Sequence, residues 1–187
     1  MAETVQRQAV YEDLFSVPET MTGEIIGGEL VATPRPSRKH IGAMSALGYK
    51  LGPPYQYGEG GAPGGWIILI EPEVGFGVDV LVPDLAGWKK ERLPAEEGHN
   101  WISVAPDWVC EVLSPGSFRN DRIRKMPIYA QHGVPCLWHL DPLARTLEVF
   151  RLVAPGQWLL AGSYADDDPV RAEPFTEIII DLGALWL

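Results

Sequence analysis

Residues 108–113, WVCEVL, constrain the fold of this chain more than any other run, because one carboxylate, Glu111, sits among Trp108, Val109, Cys110, Val112 and Leu113. An apolar run of this length, bounded by a proline on each side, reads as an interior strand. Strand alternation then puts Asp107, Val109, Glu111 and Leu113 on one face and Trp108, Cys110 and Val112 on the other. A desolvated carboxylate costs several kcal/mol unless it is paired or bound to a cation. The fold must bring Glu111 a partner, which makes it a functional candidate before any other residue is considered.

Other acids are placed in the same way. VDVLVPD, residues 78–84, reads as a second apolar strand ending in Asp84, and Pro83 suits a strand end because it donates no ladder hydrogen bond. If Asp84 and Glu111 face one cleft, their oxygens suit Mg²⁺ or Mn²⁺. Glu71 in ILIEPEVGF interrupts a third apolar run, with Glu73 following on the same face, so Glu71 is a further candidate ligand. Lys125 has two readings. Four residues after Asp121 it matches a helix-surface ion pair, while a lysine beside a scissile phosphate serves as a mobile point charge. Pro127 either kinks this helix or starts it.

The whole chain narrows the class. At 187 residues and 46% apolar it has the bulk of one domain, spanning 1–187. A mixed sheet flanked by helices, α/β or α+β, is the expected fold. The N-terminus is charged, no run is apolar enough to span a membrane, and Cys110 and Cys136 lie in strand-like contexts that suit reduced core thiols, so a cytoplasmic protein is expected. His40, His99, His132 and His139 show no zinc spacing with the cysteines. The net charge of −10 opposes binding to free duplex DNA. The charge is uneven, however. Acid gathers at Glu96 and Glu97 and at Asp166, Asp167 and Asp168. Base gathers at Arg35, Arg38 and Lys39, at Lys89 and Lys90, and at Arg119, Arg122, Arg124 and Lys125.

Local patterns predict a short helix over 4–15, a hairpin turning at Gly27 and Gly28, and a helix over 38–51 capped by Ser37 and broken by Gly52, Pro53 and Pro54. Residues 57–65 read as a loop. Strands are expected at 66–73, 78–84 and 107–113, with a loop of about twenty residues between the last two. A helix is expected at 120–132, then strands at 135–141, 145–152 and 157–163 and an apolar segment over 177–187. Ser114 with Pro115 ends the strand and caps the segment after it, and Tyr129 and Trp138 read as core aromatics.

Taken in order, Pro83-Asp84, then Glu111, Ser114 and Pro115, then Asp121, Lys125 and Tyr129, then Gly133, Val134, Pro135, Trp138, Asp141 and Pro142 resemble the Uma family of restriction endonucleases, in the PD-(D/E)XK nuclease superfamily. GEIIGGELV followed by PSRKH is similar to that family's opening hairpin and first core helix. The superfamily's usual lysine position is Leu113 here, and the family is similar in taking its lysine from the next helix, at Lys125. The resemblance implies a restriction-endonuclease-like fold and a Mg²⁺- or Mn²⁺-dependent endonuclease hydrolysing phosphodiester bonds of nucleic acid, DNA first, in a form that could be a homodimer. Asp84, Glu111 and Lys125 would be catalytic, with Asp84, Glu111 and Glu71 on the metal and Glu24 and His40 in support. Arg38, Lys39, Arg119, Arg122 and Arg124 would contact the nucleic acid. The alternative is a catalytically inactive binding or regulatory module on the same fold, which the acidic charge and displaced lysine favour.

Overall fold

The computed structural model describes residues 7–93 and 98–187. The start of the predicted 4–15 helix, and Glu96 and Glu97, lie outside the described residues, and a 3-10 turn spans Tyr11–Ser16. The hairpin forms as expected from β1 (Met21–Ile26) and β2 (Glu29–Pro34). Its two turn residues, Gly27 at φ 64° and Gly28 at φ 74°, are both left-handed, as a type I′ turn requires. The Gly28 N–H donates to Asp79 Oδ1 at 3.0 Å, tying the turn to the next sheet strand. Helix α1 (Arg38–Leu51) begins at Ser37, whose hydroxyl accepts the His40 N–H, and buries His40, Ala43, Met44, Leu47 and Leu51 along one stripe. The α-helix ends at Leu51, just before Gly-Pro-Pro, as expected. A wider π turn, Gly52–Gln56, carries the chain on and buries Tyr55.

The remaining strands are β3 (Trp66–Ile70), β4 (Val74–Phe76), β5 (Asp79–Leu81), β6 (Leu85–Lys89), β7 (Trp108–Val112), β8 (Cys136–Asp141), β9 (Thr146–Ala154), β10 (Gln157–Ala165), β11 (Pro169–Ala172) and β12 (Phe175–Asp181). The central sheet has six strands in the order β10-β9-β8-β7-β6-β3. Only the β7–β8 pair in it is parallel, and the connection between those strands carries α2 (Met126–Gln131). A four-stranded sheet, β2-β1-β5-β4, and the β11–β12 pair lie beside it.

Two expectations about strands are corrected. The 66–73 strand stops at Ile70, because Glu71 turns the chain with φ 47°. The 78–84 strand is only β5, and Asp84 heads a further strand, β6, inside what reads as loop. LAGWK hides its strand character because alanine and glycine are poor strand formers. Gly87 suits close packing there: a Cβ would lie 3.2 Å from the Trp108 ring and 3.3 Å from the Trp66 ring, so the tryptophans would have to give by a few tenths of an ångström.

Both faces of the central sheet are covered. On one, α1 packs through Ala43, Leu47 and Leu51 against Trp108, Cys110, Val112 and Trp138. On the other, Val109 and Leu137 meet Phe76, Trp88, Ile128 and Tyr129. The alternation expected for 107–113 is thus present, with odd and even positions in different clusters. Phe175 closes the α1 side, with its ring 4.9 Å from Trp66, 4.9 Å from Trp108 and 5.7 Å from Trp138. Burying one such side chain stabilises the fold by about 1.5–3 kcal/mol.

Candidate functional site

The site forms where β6 and β7 meet. Leu85 pairs with Cys110, so one further step of the antiparallel register brings Asp84 opposite Glu111. Asp84 is fixed from two sides: its Oδ2 accepts the Val112 N–H at 2.7 Å, and its Oδ1 lies 2.6 Å from His40 Nε2 on α1. Glu111, 1% exposed, receives two groups on one oxygen: the Tyr129 hydroxyl donates to Oε1 at 2.5 Å, and Lys125 Nζ lies 2.9 Å from it. The same ammonium is 2.9 Å from Glu24 Oε1 and 3.6 Å from Asp121 Oδ1. Glu24 Oε1 also accepts the Val82 N–H at 2.8 Å, so the hairpin, the loop before β6 and the helix meet at Lys125.

The helix reaches the site through an irregularity. Ser114 starts it, its Oγ accepting the Ser117 N–H and its carbonyl the Phe118 N–H. Asn120–Lys125 is then wound as a π segment, in which the Met126 N–H bonds Asp121 O, five residues back. Such wide turns recur at functional sites. Pro127 falls at the start of α2, directly after the π segment. Asp121, Lys125 and Tyr129 consequently point into one interior, and all three are buried. The helix-surface reading of Lys125 is therefore corrected: the ammonium is 3% exposed, and its partners include acids of two other strands.

A cavity of about 300 Å³ opens onto this cluster, and its lining includes five carboxylates, those of Glu24, Glu71, Asp84, Glu111 and Asp121. Facing them are Lys125, His40 and Arg35, and the Arg35 guanidinium also donates to Glu19 O. Burial pushes the Glu111 carboxyl well above the usual range, and Lys125 only partly reverses this. Asp121 is raised for the same reason. For Lys125 burial works downward, but Glu111 and Glu24 outweigh it, so its ammonium stays charged. Burial, then the charge of Glu111, raises the Tyr129 hydroxyl, which remains a donor. His139, register partner of Glu111 on β8, is held neutral by burial, with Arg122 and Lys125 adding to the effect, its pKa lowered to about 3. Among the described residues no three His, Cys, Asp or Glu side chains converge as a ready metal cage.

The other residues singled out by sequence divide by position. Glu71 lines the cavity and its N–H donates to Asp84 O at 3.0 Å, whereas Glu73 turns away and accepts the Tyr11 hydroxyl. Arg38 and Lys39 are exposed on the first turn of α1, and Arg119 is exposed near the start of the second helix; none of the three lines the cavity, although their chain neighbours His40 and Asn120 do. Arg122 is paired with Glu148 and lies over the Phe118 ring. Arg124 donates to Ile26 O at 2.6 Å and Glu29 Oε2 at 2.8 Å, fastening the helix to the hairpin. Sequence reasoning missed the polar role of Tyr129 and the burial of Asp121. The one signal was their spacing, 121, 125 and 129, a single helical face.

A mixed sheet that sets two acids on neighbouring strands beside a helix-borne lysine has the architecture of a restriction-endonuclease-like fold. A crystal structure from Anabaena variabilis, described as a putative nuclease belonging to DUF820, is similar to this chain at a TM-score of 0.71 and 23% identity, over 95% of this chain and 97% of that one. The family model Uma2, described as putative restriction endonuclease, matches residues 11–183, and the chain belongs to that family. No curated protein matches it.

Proposed function

We propose that this protein is a metal-dependent phosphodiesterase acting on nucleic acid, with Mg²⁺ or Mn²⁺ held by Asp84 and Glu111 and with Glu71 as a further ligand. The observation that carries the reading is the composition of the cavity, where five acidic side chains line one space and outnumber the cations Lys125 and Arg35 and the imidazole of His40. The donor set fits the ion. Hard cations take carboxylate oxygens, and Mg²⁺ in particular uses one or two protein carboxylates and completes its shell with water and substrate phosphate, so a cage of three acids is not needed. A bound ion would supply Lewis-acid polarisation of the phosphate and a more acidic water.

The protein's own groups have separate tasks. His40 and the Val112 N–H hold Asp84 in one orientation. Lys125, kept protonated by Glu111 and Glu24, offers positive charge to a phosphate entering the cavity, where charge stabilisation is worth most. Glu24 steers that ammonium, since it is itself fixed by the Val82 N–H. Arg38, Lys39 and Arg119, exposed next to the cavity-lining His40 and Asn120, are assigned the backbone phosphates, with DNA as the first substrate to try, and cutting both strands of a duplex would call for two copies. A second reading, an inactive binding module, draws on the clamping of Lys125 between two acids and on the net charge of −10.

Mn²⁺ addition followed by melting, alongside cleavage of single- and double-stranded DNA and RNA, separates the two. Stabilisation by Mn²⁺ together with cleavage that is lost in Glu111→Gln is the expected result. Stabilisation without cleavage of any substrate favours the binding module, and absence of both removes the metal site.

A further inference from the structure

We infer that Tyr129 is a positioning residue for the metal site, acting through Glu111; the inference rests on the reading of Glu111 as a ligand. Glu111 accepts the Tyr129 hydroxyl and faces the Lys125 ammonium at the same oxygen, Oε1. Two donors occupy the two lone pairs of that atom. They fix the side-chain rotamer and leave Oε2 as the oxygen that a cation meeting Glu111 would engage. Lys125 alone would not accomplish this, because its ammonium is shared with Glu24 and Asp121 and sits on a flexible stem. Tyr129 is rigid by contrast. It is fully buried on α2, and its ring is seated edge-on against Phe76 at 5.5 Å and 74°.

The placement results from the π segment. Asp121 and Lys125 precede Tyr129 along the helix, and the wide turn ending at Lys125 sets the phase in which α2 starts. One helix face therefore delivers both the shared cation and the fixed donor to one carboxylate. Hydrogen-bond partners of metal ligands typically change metal affinity or activity by about 10–100-fold when removed.

The test is Mn²⁺ titration of the full chain, read by calorimetry, for wild type, Tyr129→Phe and Phe76→Leu. Tyr129→Phe removes only the hydroxyl and should weaken Mn²⁺ by about tenfold or more, lowering kcat while KM for the nucleic acid is kept. Phe76→Leu loosens the same packing without touching the donor, and should lower the melting temperature with the Mn²⁺ affinity unchanged. Equal Mn²⁺ affinity in Tyr129→Phe and wild type overturns the inference, as does equal weakening in both variants, which would mark the effect as packing. A wild type that binds no Mn²⁺ overturns the metal reading itself, so the two failures are distinct. If Tyr129→Phe does not fold, 3-fluorotyrosine labelling of the wild type replaces it. The Tyr129 ¹⁹F resonance should move when Mg²⁺ is added, and an unmoved resonance overturns the inference.

Discussion

Replacing Lys125 by methionine isolates the charge at the centre of the cluster. The aliphatic stem is largely kept, so little cavity is created and the change is chiefly the loss of an ammonium. That ammonium lies within 2.9 Å of both Glu24 and Glu111 and 3.6 Å from Asp121, all buried. Removing one partner of a buried ion pair costs about 3–5 kcal/mol, and with three acids left facing one another the upper end of that range is expected at pH 8. This is a large part of the roughly 5–15 kcal/mol that holds a domain folded. The acids can relieve the strain by taking up a proton. Glu111, already raised by burial, loses the lysine that partly holds it down, so its folded value rises further above the ordinary 4.5 of a glutamate. In that window the folded state binds a proton that the unfolded chain releases, so stability falls as pH rises through it. The deficit against wild type should be largest at pH 8 and shrink toward pH 5. Urea unfolding followed by tryptophan fluorescence at both pH values measures it. Equal stability of variant and wild type at pH 8, or a deficit that does not change with pH, would refute the argument that Lys125 neutralises buried acids. Turnover should fall together with stability, by about two or three orders of magnitude if the ammonium stabilises developing charge.

The remaining predictions concern other parts of the molecule. Glu111→Gln should abolish Mn²⁺-dependent cleavage yet hold the melting temperature, because Gln still accepts from Tyr129 while Lys125 retains Glu24 and Asp121; recovered cleavage would remove Glu111 from the mechanism. Gly28→Ala forces a side chain into a left-handed turn position and should cost about 1–2 kcal/mol in chemical denaturation. Arg119→Gln should weaken nucleic-acid binding and reduce the salt slope by about one, with no change in melting. Arg124→Gln, which loses bonds to Ile26 and Glu29, should instead lower the melting temperature.

Where local chemistry acts over a few residues, the sequence could be read well. Ser37 and the stripe His40-Met44-Leu47-Leu51 mark α1 from end to end, Gly27-Gly28 marks the hairpin, and the alternation around Glu111 separates the two faces of β7. Asp84 and Glu111 could be paired from placement alone, since acids that end or interrupt apolar runs must share a solution to their desolvation. What could not be read depends on contacts distant in sequence or on unusual winding. Strand β6 is held by its pairing with β3 and β7, with Trp66 and Trp108 packed close to Gly87, and not by its own propensity. The π segment has no signature at the helical period, so the depth of Lys125 was invisible. The Tyr129 hydroxyl was hidden because an aromatic on an apolar helix face looks the same whether or not its oxygen has a task.

Phe175 gives the order of events during synthesis an unusual shape. Every group of the site is contained between Glu24 and Tyr129, but the hydrophobic cover over Trp66, Trp108 and Trp138 is delivered by β12, much later in the chain. At roughly 5–20 residues per second of translation, Glu111 and Lys125 exist for seconds before Phe175 can cover the α1 side of the sheet. A half-made chain thus carries all the residues of the site while the rings of Trp66, Trp108 and Trp138 still lack their Phe175 cover.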